Sequence, residues 1–458
     1  MQNFVVMRYY IPIFLLFLAN ILTACINNEE NNETSSEARV QTFTFYEDTL
    51  NIGLTEATYK IEHSGDTGRI YCVDSLRFGT RLDSVVPYVT YMATPGSATF
   101  ILPDTTIVST GVDVMNFNQS PIYLHVLASD MENEQWYRID IAAHQVNPDL
   151  YVWKKLADKI FPDEYGETKA FYFQQKIILF LNNGLSTQVY QSANGEHWSL
   201  LSKVNSLPTP CHVRDIIQHH DTLYYIANNR LYWSTDLLNW EKKDYTSSTF
   251  SLINMLVSYD NKPWCLLQDT ATSQLMLGTI TKDSIVVEKQ IAGLKDGFLP
   301  NHFPINDFAA LSFSGSSERP RAMIVGGRDI DGNIVNSRWN LEYAPTVGYR
   351  LKDFSISQPS FKSLTGVSII HYNKRFIMFG GTDNDLGWRS NILYSDDEGM
   401  NWYAPDSTVN QLPNEYQPRQ NQTVLTDTLN NIYIIGGQSH SQTFSDVYCG
   451  YINSAKWE

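Results

Sequence analysis

Cysteine, basic clusters and catalytic signatures are what this chain has little of. Five cysteines stand among 458 residues, at Cys25, Cys72, Cys211, Cys265 and Cys449. None forms a Cys-x-x-Cys pair, so the spacing supports neither a metal framework nor a disulfide scaffold, and the four after Cys25 read as free thiols in strands, Cys265 and Cys449 above all. Lys and Arg number 33 against 49 Asp and Glu, a net charge of −16. With no basic run to offset it, that surface repels nucleic acid and anionic membrane. No Gly-x-Ser-x-Gly, phosphate loop or dinucleotide fingerprint accompanies a strand and helix. The sequence therefore predicts no cofactor and no metal.

What is there begins with an address. The first 24 residues carry one charge, Arg8, then the apolar stretch Ile11 to Leu22, then Leu22-Thr23-Ala24-Cys25. This reads as a lipoprotein signal peptide over 1–24, with Cys25 the lipid-modified first residue of the mature chain. Residues 25–39 are Asn, Glu, Ser and Thr with almost nothing apolar, a flexible tether reaching on the order of 20 Å. Glu29 and Glu30 resemble the export signal of surface-displayed lipoproteins in Bacteroides-type bacteria. The expected location is the outer membrane facing the exterior, with a periplasm-facing anchor as the alternative, and the membrane is met through the N-terminal lipid only.

Residues 40–148 read as short strands. Thr42 to Tyr46, Ile122 to Leu127 and Trp136 to Ile141 alternate polar with apolar, and Ser64-Gly65-Asp66 and Pro95-Gly96-Ser97 mark turns. An Ig-like β-sandwich is the expected solution, ending at Asn147-Pro148-Asp149.

Residues 149–458 repeat. Gly326-Gly327, Gly380-Gly381 and Gly436-Gly437 each close an apolar run, and Ser192 to Trp198, Ser234 to Trp240 and Ser395 to Trp402 each run from Ser through Asp or Asn to Trp. Period and pattern point to stacked four-stranded units opening near Phe171, Ile216, Ile253, Phe308, Val367 and Thr423. The expected fold class is all-β: an Ig-like sandwich followed by a six-bladed, kelch-like β-propeller. The last unit lacks a fourth strand, and Tyr151 to Leu156 is expected to supply it. In the Trp boxes Asp or Asn caps turn amides, Gly takes positive φ and Trp packs between blades, so these motifs are structural.

The boxes resemble the Asp-box of sialidases, best in Ser395-x-Asp397-x-Gly399-x-x-Trp402, and the Gly-Gly runs look like kelch motifs. With the lipobox and tether, the chain resembles a family of uncharacterised Bacteroides-type surface lipoproteins, an Ig-like domain followed by a kelch-like, Asp-box-containing propeller. That resemblance implies architecture and address, with no catalytic residue to carry over. A sialidase reading fails because no Arg-Ile-Pro occurs, the nearest string being Arg319-Pro320-Arg321.

In a propeller the connections between blades and the loops from second to third strand converge on one mouth, where ligands bind. The connections carry Tyr165, His212 with Arg214, His302, Lys362, and Tyr416 with Arg419; the other loops carry Arg328, Trp388 with Arg389, and His440. Arginine forks suit carboxylates and flat rings suit sugar faces. Solvent-facing loops hold polar residues anyway, and Pro418-Arg419 recurs at kelch blade starts for structural reasons. Asp383 to Gly387 and Asp329 to Asn333 hint at calcium loops without the full ligand spacing, so turn chemistry is favoured. His219-His220 sits in a turn on the opposite face. The sequence thus supports a non-catalytic protein binding a glycan or glycoconjugate at the mouth. Its competitors are a glycoside hydrolase or lyase, with acid and base among Asp329, Asp331, Asp383, Asp385 and His212, and a scaffold for an outer-membrane protein partner.

Overall fold

The computed structural model describes residues 34–458 except 50, 52–53, 112, 162–165, 283, 316–318, 359, 384–386, 388–391, 406–411 and 457–458. The signal segment, Cys25, Tyr165, Asp385, Trp388 and Arg389 therefore lie outside the described residues. Among those described, helix is confined to three short 3-10 turns and the rest of the regular structure is strand. Two compact units divide the chain, Met1–Asn147 and Pro148–Glu458.

In the first unit six strands lie in the order Tyr59–Glu62, Thr67–Cys72, Glu134–Asp140, Ile122–Leu127, Ser97–Ile101, Ile107–Ser109, and Val40–Phe45 pairs with Pro87–Tyr91 as a second sheet. Strict alternation over Ile122–Leu127 turns Ile122, Leu124 and Val126 inward, as the two-residue period of a strand requires. They share one core with Phe43, Phe45, Ile70 and Phe100. The sheets are also tied by polar contact, since the Tyr137 hydroxyl accepts the Val40 amide at 3.1 Å and bonds His63 Nδ1 at 2.8 Å.

The second unit is a succession of antiparallel meanders. Glu167–Phe173 opens the first, followed by Lys176–Asn182, Thr187–Ser192 and Ser199–Val204. Four-stranded sheets opening at Ile217–His219 and Phe250–Tyr259 come next. The sheet opening at Ala309–Ser314 gains Ile291–Ala292, parallel to Gly348–Asp353, as an extra edge. Ser368–Tyr372, Arg375–Phe379 and Leu393–Ser395 form a three-stranded sheet, and Thr423–Thr426, Ile432–Ile435 and Val447–Ile452 the last. Tyr151–Ala157, from the start of the unit, pairs antiparallel with Val447–Ile452. The chain's two ends are thereby zipped into one sheet. Neighbouring sheets meet in turn, the first opening strand against the turn Val213–Asp215 ahead of the second, and the last opening strand returns to the first, so the meanders form a closed ring.

Local chemistry explains the hairpins. Gln174-Gln175, Asp260-Asn261 and Asn373-Lys374 join first and second strands with φ of 48° and 63°, 49° and 55°, and 49° and 64°, the paired positive values of two-residue turns matched to strand twist. Both glycines of each Gly-Gly pair are also left-handed, Gly380 and Gly381 at 62° and 92°. A Cβ on Gly380 would meet the Arg419 carbonyl at 2.5 Å, so conformation and close approach both demand glycine there.

The three Trp boxes repeat one bonding pattern. Trp198, Trp240 and Trp402 donate Nε1 to the carbonyls of Gly195, Leu237 and Gly399 at 2.8, 3.1 and 3.1 Å. Asn194, Asp236 and Asp397 accept turn amides, as from Asn401 at 2.9 Å. Each indole joins a core drawn from two neighbouring sheets, Trp240 packing with Phe171 and Phe180 of the sheet before it. In the box that lacks glycine, Leu237 takes the left-handed turn itself at φ 74°, strain of order 1 kcal/mol. None of the four described cysteines forms a disulfide; Cys211 and Cys265 are buried and Cys72 and Cys449 half-buried.

Candidate functional site in the axial cavity

The closed ring leaves a cavity of about 180 Å³ on its axis, lined by opening strands and the residues just before them. Asp307, Gly366 and Asn421 each stand two residues ahead of an opening strand, all with positive φ, 54°, 67° and 59°. They are chained around the axis: Gly366 donates its amide to the Asp307 carbonyl at 3.2 Å, and Asn421 donates to the Gly366 carbonyl at 2.8 Å. The same conformation at the same position in three sheets makes a backbone collar, with the Asp307 and Asn421 side chains at the cavity wall.

Charge enters from the first two sheets. Arg214, in the 3-10 turn Val213–Asp215, bridges Glu167 at 3.2 Å and Asp307 at 2.8 Å. His212 adds its Nδ1 to Glu167 at 3.0 Å, and Arg328 Nε lies 3.4 Å from Asp307. The resulting chain, His212, Glu167, Arg214, Asp307, Arg328, reaches the cavity wall at Arg214 and Asp307. Burial works to raise the Glu167 carboxyl, but the His212 hydrogen bond and the Arg214 charge outweigh it and hold the group below its ordinary value. The Glu167 bond in turn raises His212.

Two further groups line the cavity. Burial lifts Asp215 to about 6 against the relief offered by the Asn254 hydrogen bond and Arg214. Burial likewise lowers Lys169, partly offset by Asp215. The Lys169 ammonium has no hydrogen bond or ion pair among the described residues, its nearest ring being Phe171 at 5.9 Å. Glu167 Oε2, Arg214 Nε and Gln422 Oε1 are buried and also without a partner.

Of the residues singled out from sequence, the structure brings His212, Arg214 and Arg328 together through Glu167 and Asp307. Others it separates. His302 stacks on Trp339 and sits 3.2 Å from Asp353. His440 is an exposed loop residue. Lys362 pairs with Asp383 at 3.1 Å. Arg419 requires correction as a ligand residue: it is 0% exposed, pairs with Asp446 at 2.5 Å, donates to the Gly436 and Gln417 carbonyls, and lies over Phe444 and Tyr416 at 3.7 and 4.5 Å. All its donors serve the fold. Tyr416 lies against the Arg419 guanidinium and is not among the residues lining the cavity. Asp329 caps its own loop, accepting the Asp331 and Asn333 amides at 3.0 and 2.8 Å, and no metal-holding cluster occurs among the described residues. His219 and His220 bond Ser258 and Asn261 of the next hairpin.

Glu167, Lys169, Asp215, Asp307, Asn421 and Gln422 were missed. Their signal was a polar residue inside or just before an otherwise apolar opening strand, as in Glu167-Thr168-Lys169 ahead of Ala170-Phe171.

A closed ring of antiparallel meanders around a polar axial cavity defines a β-propeller. The chain belongs to the DUF6242 family: the model for the DUF6242 beta propeller domain matches residues 147–458, and that for the DUF6242 N-terminal domain, a domain of unknown function, matches 28–141. No curated protein matches the chain. Among solved structures, the one described as "Structure of YjhT" is similar at 12% identity over 63% of this chain and 96% of its own, with a TM-score of 0.43.

Proposed function

We propose that this chain is a surface-tethered, non-catalytic lipoprotein that binds a glycan or glycoconjugate at the mouth of its propeller. On this reading 1–24 are a signal peptide and Cys25 carries the lipid in the outer membrane, facing the exterior. An Ig-like domain over 40–148 spaces the anchor from a six-bladed, kelch-like ring. The observation that carries the reading is the axial cavity, where cations, carboxylates and amides converge on a space walled by rigid strands. Dense polar hydrogen bonding in a concave, preformed site is what a hydroxyl-rich ligand needs. The cavity, of about 180 Å³, is roomy enough for several waters and so for a small hydroxylated group, with the remainder of the glycan outside.

The test is glycan-array binding by the full-length chain in mild detergent beside Ala310→Phe, which fills the cavity wall. Saturable binding lost in the variant is the expected result. Binding kept in the variant puts the site elsewhere, and silence across the array favours an outer-membrane protein partner instead.

A raised Asp215 beside a lowered Lys169 supports a second reading, a glycoside hydrolase or lyase, because a proton donor and acceptor would then share one cavity. Release of reducing ends from a bound polysaccharide, abolished by Asp215→Asn, would replace the binding-only reading.

A further inference from the structure

We infer that the axial cavity selects a sugar acid, with Lys169 anchoring its carboxylate. The inference rests on the glycan reading and deepens it by naming the ligand's charge. The other cation lining the cavity, Arg214, is already engaged between Glu167 and Asp307, and Arg328 nearby lies against Asp307. Lys169 alone of the three lacks an ion pair. It stands on the opening strand Glu167–Phe173, two residues from Glu167 and so on the same face of that strand, and it lines the cavity. A half-buried ammonium that faces a cavity without an ion pair is matched best by an anion placed there. Asp215 is the nearest anion acting on it, but that carboxyl is also drawn on by Asn254 and Arg214.

The other polar groups of the lining shape the rest of the ligand. Lys169 Nζ is a donor without a hydrogen-bond partner among the described residues, and Asp215 and Asp307 bring carboxylate acceptors to the same wall. The Asn421 side-chain amide has no hydrogen bond among the described residues and offers one of each. A simple carboxylate satisfies only the donors, and a neutral sugar leaves the ammonium bare. A compound with one carboxylate and several hydroxyls satisfies both sets. A hexuronate unit has that chemistry.

The experiment is calorimetric titration of the full-length chain in mild detergent with D-glucuronate, D-galacturonate and D-mannuronate, beside D-glucose and acetate. At least one hexuronate is expected to bind ten-fold or more tighter than either glucose or acetate. Lys169→Met, which keeps the stem and removes the charge, should weaken that binding at least ten-fold, leave glucose unchanged and not lower the melting temperature. Lys169→Arg should restore part of the affinity. Glucose binding as tightly as every hexuronate would overturn the anion inference while leaving the glycan reading standing. Hexuronate binding unchanged in Lys169→Met would overturn the anchor. Silence from all five compounds removes the sugar-acid inference, and the glycan array then decides separately on larger ligands.

Discussion

The two halves of the ring divide their labour. From Ala309 onward the sheets carry the Gly-Gly pairs and the left-handed collar residues Asp307, Gly366 and Asn421, and several buried side chains there brace the frame: Arg419 on Asp446, Gln422 Nε2 on the Phe379 carbonyl, Arg338 on the Ser355 and Met400 carbonyls. From Glu167 to Val287 the sheets lack Gly-Gly, and the first two of them bring the charged groups Lys169, Arg214 and Asp215 to the cavity wall. The lesson is that the repeat marks scaffold and departure from the repeat marks chemistry. A residue that recurs at a fixed place in several sheets is there because every sheet has the same closure problem. A charge that appears in one opening strand and no other answers to something else.

Breaking the scaffold half should cost most. Arg419→Ala strands the Asp446 carboxylate in the interior and is expected to lose about 3–5 kcal/mol, read as a large fall in melting temperature. Gly381→Ala forces a Cβ onto a left-handed residue, φ 92°, against the Val367 side chain and the Thr365 carbonyl; a loss of about 2–3 kcal/mol is expected by denaturant titration.

The axial half should respond with the opposite sign. Asp215 binds its proton up to about pH 6 in the folded chain against 3.8 as its ordinary value. The folded state then holds more protons than the unfolded between those values. Stability from this group is therefore highest below the ordinary value and falls as pH rises through about 6. Lys169, Arg214, His212 and Asp307 are the charged groups acting with it. Asp215→Asn should raise stability at pH 7.5 by about 1–3 kcal/mol and flatten the melting-temperature profile between pH 4 and 7. A lower melting point at pH 7.5 would show that Asp215 serves the frame. Smallest of all, Trp402→Phe removes the hydrogen bond to the Gly399 carbonyl at 3.1 Å and keeps most of the packing, a loss of about 1 kcal/mol.

Much of the ring was legible in the sequence because local rules fix it. Two-residue turns such as Asn373-Lys374, the Trp boxes and the missing fourth strand each follow from residue chemistry or from counting, and Tyr151–Ala157 does pair with Val447–Ile452. The site was less legible. Sequence reasoning looked to loops, where polar residues are common, and so grouped Arg214 with Arg419. What separates them is a partner 27 positions away, Asp446, and two aromatic faces, none of which spacing reveals. The same reasoning passed over Lys169, because a lone lysine in a strand reads as an outward face. Only ring closure, which brings opening strands distant in sequence to one axis, turns that face inward.

The most direct test of the central claim is a crystal structure of the full-length chain with a glycan retained on the array. The account predicts a terminal sugar in the axial cavity, within hydrogen-bond distance of Lys169 and Asn421. A glycan held by the first unit, or by the outer loops with the cavity filled only by water, would contradict it.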